Sequence, residues 1–146
     1  MKDLKAIKLG FGIVLFIMLL SFAAIGVKTV WQEVVFKDYD SHLTQNEYTA
    51  AVVDQNVNLV FYKSGCPYCQ AGKQAVISAA EKSAYPTFYI NVESENGQAL
   101  VKKYQVKKAA TIVKLRDGKQ QLSLYATKAS KGEINVDESA IKEAMK

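Results

Sequence analysis

An α/β fold is predicted by three observations. The chain's only two cysteines follow a buried-type apolar run, strand and helix periodicities alternate after them, and an Asp-Gly pair later separates two β-rich runs. Residues 57–62 (VNLVFY) are apolar except for Asn58, the pattern of a strand covered on both faces. The motif Cys66-Pro67-Tyr68-Cys69 comes at that strand's carboxyl end. Ala71, Ala75, Val76, Ala79 and Ala80 then recur at helical spacing, so the motif opens a helix running to about residue 83. Pro86 can begin a strand without losing a ladder bond, and residues 87–92 (TFYINV) are rich in β-branched and aromatic side chains. A helix over 96–104 turns Ala99, Leu100 and Tyr104 inward. Strands over 111–116 and 119–125 flank Asp117-Gly118 as a hairpin. Asp137 caps a last helix with Ile141 and Met145 on one face and a Glu138/Lys142 pair on the other. Ahead of the first buried strand, Thr44 and Glu47 form a capping-box pattern that starts a short helix. Residues 31–36 read either as a first edge strand or as a continuation of what precedes them. The order is one of parallel α/β units finished by an antiparallel hairpin and a helix.

The N-terminal segment has a different character. Residues 9–27 (LGFGIVLFIMLLSFAAIGV) carry no charge and follow Lys2, Lys5 and Lys8. Nineteen residues at 1.5 Å rise suffice for a hydrocarbon core of about 30 Å, and the lysines mark the cytoplasmic side. The expected organisation is a basic cytoplasmic stretch 1–8, an uncleaved transmembrane anchor 9–27, a juxtamembrane segment 28–43 and a domain over 44–146 whose fold could begin near 31. A cleaved signal peptide is the alternative, with Ser21, Ala23, Ala24 and Gly26 as small residues near a cleavage site, but the apolar run continues through Ile25 and Val27 without a polar end. Either reading puts the folded domain outside the cytoplasm.

The charge does not point to nucleic acid. Four of the nineteen basic residues and one of the fourteen acidic ones fall in the first 28 positions, so the remainder carries only +2. Lys102, Lys103, Lys107 and Lys108 cluster around Tyr104 and Val106 at the spacing of a solvated helix face.

Chemistry concentrates in the dithiol. A C-x-x-C puts the second sulfur one helical turn beyond the first, within reach of a small disulfide ring. Cys66, at a helix start, faces unsatisfied N–H groups and the positive end of the helix dipole, and is the expected nucleophile. Pro67 suits the first turn. Cys69 lies deeper and would resolve a mixed disulfide formed at Cys66. Lys63 and Tyr68 are candidate modulators, Lys63 by adding positive charge or merely as a solvated side chain, Tyr68 by tuning access or by packing. Structural zinc needs about four ligands, and the chain offers one C-x-x-C and a single histidine, His42. A metal site then requires two copies of the chain. A purely structural disulfide closing so short a loop would stabilise weakly. Exchange explains the strand-to-helix placement best, with no cofactor or metal of its own.

With these residues in place, the chain resembles the thioredoxin superfamily over about residues 31–146. Its K-S-G-C-P-Y-C stretch is similar to the glutaredoxin active-site motif, and the rest resembles small thioredoxin-like proteins anchored outside Gram-positive cells. The resemblance implies a central mixed sheet with helices on both faces, and thiol:disulfide oxidoreductase activity by Cys66 and Cys69 on exported cysteine-containing proteins or peptides, met together with the membrane and a membrane redox partner or secretion machinery. A non-catalytic accessory or chaperone-like module of a secretion, bacteriocin-export or conjugation system is the alternative. The superfamily places a cis-proline opposite the dithiol; here the corresponding loop is Ala109-Ala110-Thr111, and a trans Ala109–Ala110 bond is predicted because cis before alanine costs about 2.5–4 kcal/mol. Where thioredoxins carry a buried carboxylate under the second cysteine, this chain has Val60, so proton transfer at Cys69 needs water or another group. The glutaredoxin segments that hold glutathione are missing, so glutathione is not an expected cofactor.

Overall fold

The structure, a computed structural model, describes residue 18 and residues 38–50, 56–129 and 132–146. The expected membrane span over 9–27 therefore lies outside the described residues except for Met18, and the possible edge strand over 31–36 lies wholly outside them. Among the described residues no helix is long and apolar enough to cross a membrane. A compact unit runs from Asp38 to Lys146.

Among the described residues four strands form its mixed sheet: β1 (Val57–Tyr62), β2 (Thr87–Asn91), β3 (Thr111–Arg116) and β4 (Lys119–Leu124), in the order β2-β1-β3-β4. The β1/β2 pair is parallel; β1/β3 and β3/β4 are antiparallel. Every residue of β1 is buried, as its unbroken apolar run requires of a central strand. Asn58 is tolerated there because its amide is fully engaged: Nδ2 donates to Ser83 Oγ and Thr87 Oγ1, each at 3.1 Å, and Oδ1 accepts from Arg116 at 2.8 Å.

Helices cover both faces. On one lie α2 (Pro67–Ala80) and α4 (Glu138–Ala144), where Cys69, Val76, Ile77, Ile141 and Ala144 meet Val60, Tyr62, Tyr89 and Ile112. On the other, α1 (Gln45–Ala50) and α3 (Glu95–Lys103), with Tyr104 just beyond it, bring Tyr48, Leu100 and Tyr104 onto Leu59, Phe61, Ile90 and Val113. Successive strand residues thus serve opposite faces, the period-two rule of a pleated strand. One arm of the capping box expected at α1 is formed, Glu47 Oε2 accepting from the Thr44 backbone N–H at 2.7 Å and from the Thr44 hydroxyl at 2.5 Å, while Thr44 Oγ1 accepts from the Asn46 N–H at 3.3 Å. Thr44 also bridges to Tyr89 beside β2, so residues 43–44 line that edge of the sheet. Asp137 caps α4 by accepting from the Ala140 N–H at 2.9 Å, and Lys142 pairs with Glu138 at 3.3 Å.

Several expectations are corrected in detail. The inward face of α2 is Cys69, Gly72, Val76 and Ile77; Ala71 is exposed, because the buried cysteine and glycine set the stripe one position later than alanine counting does. In α3 the buried positions are Gly97 and Leu100, with Tyr104 after the helix, while Ala99 faces solvent. A second two-stranded sheet, β5 (Ala126–Lys128) with β6 (Ile134–Val136), follows the hairpin and was not anticipated, since three-residue strands carry no readable period.

Gly97 fixes how closely α3 approaches the sheet. A Cβ there would stand 1.9 Å from the Asn91 carbonyl oxygen. Substitution Gly97→Ala is expected to cost at least 1–3 kcal/mol, the usual range for overpacking, because the obstacle is backbone and cannot rotate away. A fall in the urea midpoint checks this; an unchanged midpoint would mean that α3 sits farther from Asn91.

Candidate active site

The turn before the dithiol is built by Lys63, Ser64 and Gly65. The Cys66 N–H donates to the Lys63 carbonyl at 3.2 Å, and Gly65 has φ +69°, a left-handed value that glycine adopts without penalty. Ser64 N–H donates to Glu93 Oε2 at 3.2 Å, and Lys63 Nζ lies 3.5 Å from Glu93 Oε1. Lys63 thus pairs with an exposed carboxylate, in line with the solvated alternative for this side chain.

Cys66 is the N-cap of α2. Its Sγ accepts from the Cys69 backbone N–H at 3.3 Å, and Pro67 follows at the first helical position. Both cysteines are free thiols; Cys66 is half-buried and Cys69 has no exposed surface. One sulfur is therefore reachable and the other covered. Burial, followed by the hydrogen bond to Cys66, pushes the Cys69 thiol up to about 11, with hydrogen bonds from the Lys63 backbone and the Tyr125 side chain acting in the opposite direction. Tyr68 and Ala109 are partly buried and pack on the same cluster as the two cysteines and Ala110, so the structure brings the dithiol and the loop opposite it together.

That loop differs from an open substrate-binding edge. Ala110 is buried, with φ +62°, and its N–H donates to the Phe61 carbonyl at 3.0 Å while its C=O accepts from Tyr125 N–H at 2.9 Å. The Ala109–Ala110 bond is trans, as expected; no cis peptide occurs among the described residues. Thr111 is also buried, and its hydroxyl donates to the Lys108 carbonyl at 2.7 Å. Ala110 and Thr111 are thereby held by the protein's own backbone.

Val60 is fully buried in the cluster that holds Cys69. The polar atoms beside Cys69 instead come from two tyrosines that the sequence did not single out. Tyr39, in a 3-10 turn (Tyr39–Ser41) within the segment read as juxtamembrane, donates its hydroxyl to the Cys69 carbonyl at 3.1 Å. The Tyr125 hydroxyl lies 3.5 Å from that of Tyr39, and Tyr125 is buried in the same cluster as Cys69, where its hydroxyl favours the thiolate. Burial raises both phenols above their ordinary range. Tyr39 is held by stacking on Tyr62 and Tyr89, at 4.6 and 5.2 Å between centroids, and Tyr62 donates in turn to Asp40. A tyrosine just after a β-hairpin strand is the only sequence signal for Tyr125; Tyr39 has none.

No protein-family model matches the sequence, and no curated protein matches it significantly. Solved structures do. Trxlp from Edwardsiella tarda EIB202 is similar with a TM-score of 0.51 at 18% identity, covering 68% of this chain and 91% of that one. Thioredoxin O2 from Arabidopsis thaliana, in its oxidized state, is similar with a TM-score of 0.51 at 16% identity, covering 70% and 90%.

Proposed function

We propose, from the thioredoxin-like fold, that the protein is a thiol:disulfide oxidoreductase, anchored in the membrane by residues 9–27 and working outside the cytoplasm on exported cysteine-containing proteins or peptides. The observation that carries the chemistry is the pairing of a reachable thiol at a helix N-cap with a covered thiol one turn on, joined by the Cys69 N–H to Cys66 Sγ contact. The location rests on the uncharged N-terminal run and its preceding lysines.

The reaction is a two-step exchange. The Cys66 thiolate attacks a substrate disulfide, forming a Cys66 mixed disulfide and expelling one substrate sulfur as thiolate, which takes a proton. Cys69, deprotonated, then attacks Cys66 Sγ; the internal disulfide forms, the bond to the substrate breaks, and the second substrate sulfur leaves. The protein dithiol is oxidised and the substrate disulfide becomes two thiols. The reverse sequence oxidises a substrate dithiol, and the relative stability of the two protein redox states sets the direction. Electrons are exchanged with substrate on one side and with a membrane redox partner on the other.

In cells, Cys69→Ala is expected to accumulate mixed disulfides on Cys66, seen as thiol-sensitive high-mass species in the membrane fraction that disappear in the Cys66→Ser/Cys69→Ala protein. Absence of such species, with the double variant still functional, would favour a second reading, a non-catalytic accessory module of an export system. The closed backbone of Ala110 and Thr111 favours that alternative, because those groups are already paired within the protein.

A further inference from the structure

We propose that Tyr125 is the hydrogen-bond donor that holds the Cys69 thiolate during resolution, with Tyr39 as the residue that positions it, an assignment that rests on the exchange reading above. Tyr125 is fully buried, and its ring lies against the one glycine of α2: a Cβ at Gly72 would come 2.6 Å from Tyr125 Cδ2. A side chain at position 72 would push the ring off the helix. With glycine there, the phenol lies in the buried cluster that holds Cys69, its hydroxyl 3.5 Å from the Tyr39 hydroxyl that donates to the Cys69 carbonyl, and its presence favours the Cys69 thiolate.

The hydroxyl has two oxygen partners for its single proton. The Phe61 carbonyl oxygen and the Tyr39 hydroxyl oxygen each lie 3.5 Å away. Those two contacts are long for O–H···O hydrogen bonds and weak. Tyr39 commits its own proton to the Cys69 carbonyl at 3.1 Å, so toward Tyr125 it acts as acceptor. While Cys69 is a thiol, its S–H can donate to the Tyr125 oxygen. Once Cys69 is deprotonated, rotation about the Tyr125 C–O bond alone turns the O–H onto sulfur, exchanging a weak neutral contact for a charge-assisted one of roughly twice the strength.

In the resolving step the Cys69–Cys66 sulfur bond forms, the bond from Cys66 to the substrate sulfur breaks, and the departing thiolate accepts the proton given up by Cys69, directly or through water on the open side of Cys66. Tyr125 keeps its own proton throughout. Its phenol is raised above its ordinary range by burial, which suits a donor and not a base. The other ionisable groups around this cluster are Cys66 at the N-cap of α2, Tyr68 in its first turn, Tyr62 bound to Asp40, Tyr89 on β2, and the Lys73–Asp38 pair at 3.6 Å.

Tyr125→Phe keeps the ring against Gly72 and removes only the hydroxyl. In the full chain carrying Cys66→Ser, where Cys69 is the sole thiol, Tyr125→Phe is expected to move the thiolate absorbance titration of Cys69 upward by about one pH unit. With Cys66 present, release of a chromophoric thiol from its mixed disulfide should slow about tenfold at fixed pH, while alkylation of Cys66 stays unchanged. Tyr39→Phe should act in the same direction with smaller size. An unmoved Cys69 titration in a folded Tyr125→Phe protein overturns the assignment; if that variant loses its near-ultraviolet circular dichroism, an unmoved titration in Tyr39→Phe does so. The Cys66→Ser titration does not depend on turnover, so a parent protein that releases no thiol while its Cys69 titration shifts would sink the exchange reading separately.

Discussion

Ala110→Pro is expected to destabilise the protein by about 3 kcal/mol or more, and Ala110→Gly to stabilise it by up to about 1 kcal/mol. The two opposite signs come from one backbone angle. Ala110 has φ +62°, where an L-residue is disfavoured by roughly 1–2 kcal/mol; glycine escapes that penalty and loses about 0.5–1 kcal/mol of it to chain entropy. Proline fixes φ near −65° and has no N–H, whereas the Ala110 N–H donates to the Phe61 carbonyl at 3.0 Å within the core. Proline here therefore does not fit the loop, which is built around a trans, left-handed residue. Strain is also transmitted to the site, because the Ala110 carbonyl accepts from Tyr125 N–H at 2.9 Å and Tyr125 contacts Cys69. Urea unfolding with an unchanged slope would give both numbers. A proline variant as stable as the parent would show that this loop does not hold the left-handed conformation.

The elements around the dithiol were legible in the sequence because each has a strong local signal. The uninterrupted run at 57–62 coincides with β1, and Asp117-Gly118 sits at the hairpin turn with both residues at positive φ, +50° and +74°. Helix start signals worked for the same reason at Cys66 and Asp137, N-caps whose side chains accept from N–H groups within their own first turns, while Ser94, which caps α3 in the same way, was not read as a start. The helix faces were less legible. Alanine and glycine are both small, and only tertiary contact decides that Gly72 and Gly97 point inward while Ala71 and Ala99 do not. The tyrosine pair was illegible in principle, since Tyr39 and Tyr125 are 86 positions apart and nothing local in either segment announces the other. That Val60 offers no proton-transfer group to Cys69 was visible in the sequence; which polar groups stand near Cys69 required the folded chain.

Resolution of a Cys66 mixed disulfide is expected to accelerate about tenfold per pH unit from neutral pH until the inflection is approached, by at least about a hundredfold in all, and to level off no higher than about pH 11. Only the Cys69 thiolate attacks, and its fraction rises tenfold per unit below its pKa. Burial is the largest cause of the upward displacement from the ordinary thiol value of 9.0 and persists in the mixed disulfide, whereas the hydrogen bond that the Cys69 thiol donates to Cys66 is weakened there. The inflection should accordingly fall above 9.0 and at or below about 11. Loading Cys66 with an activated aromatic thiol at acid pH and following its release after a pH jump measures this directly. An inflection below the ordinary thiol value would mean that Cys69 is not desolvated during attack, and that substrate binding opens the cluster around Tyr39, Tyr125 and Ala110 instead of docking against it closed.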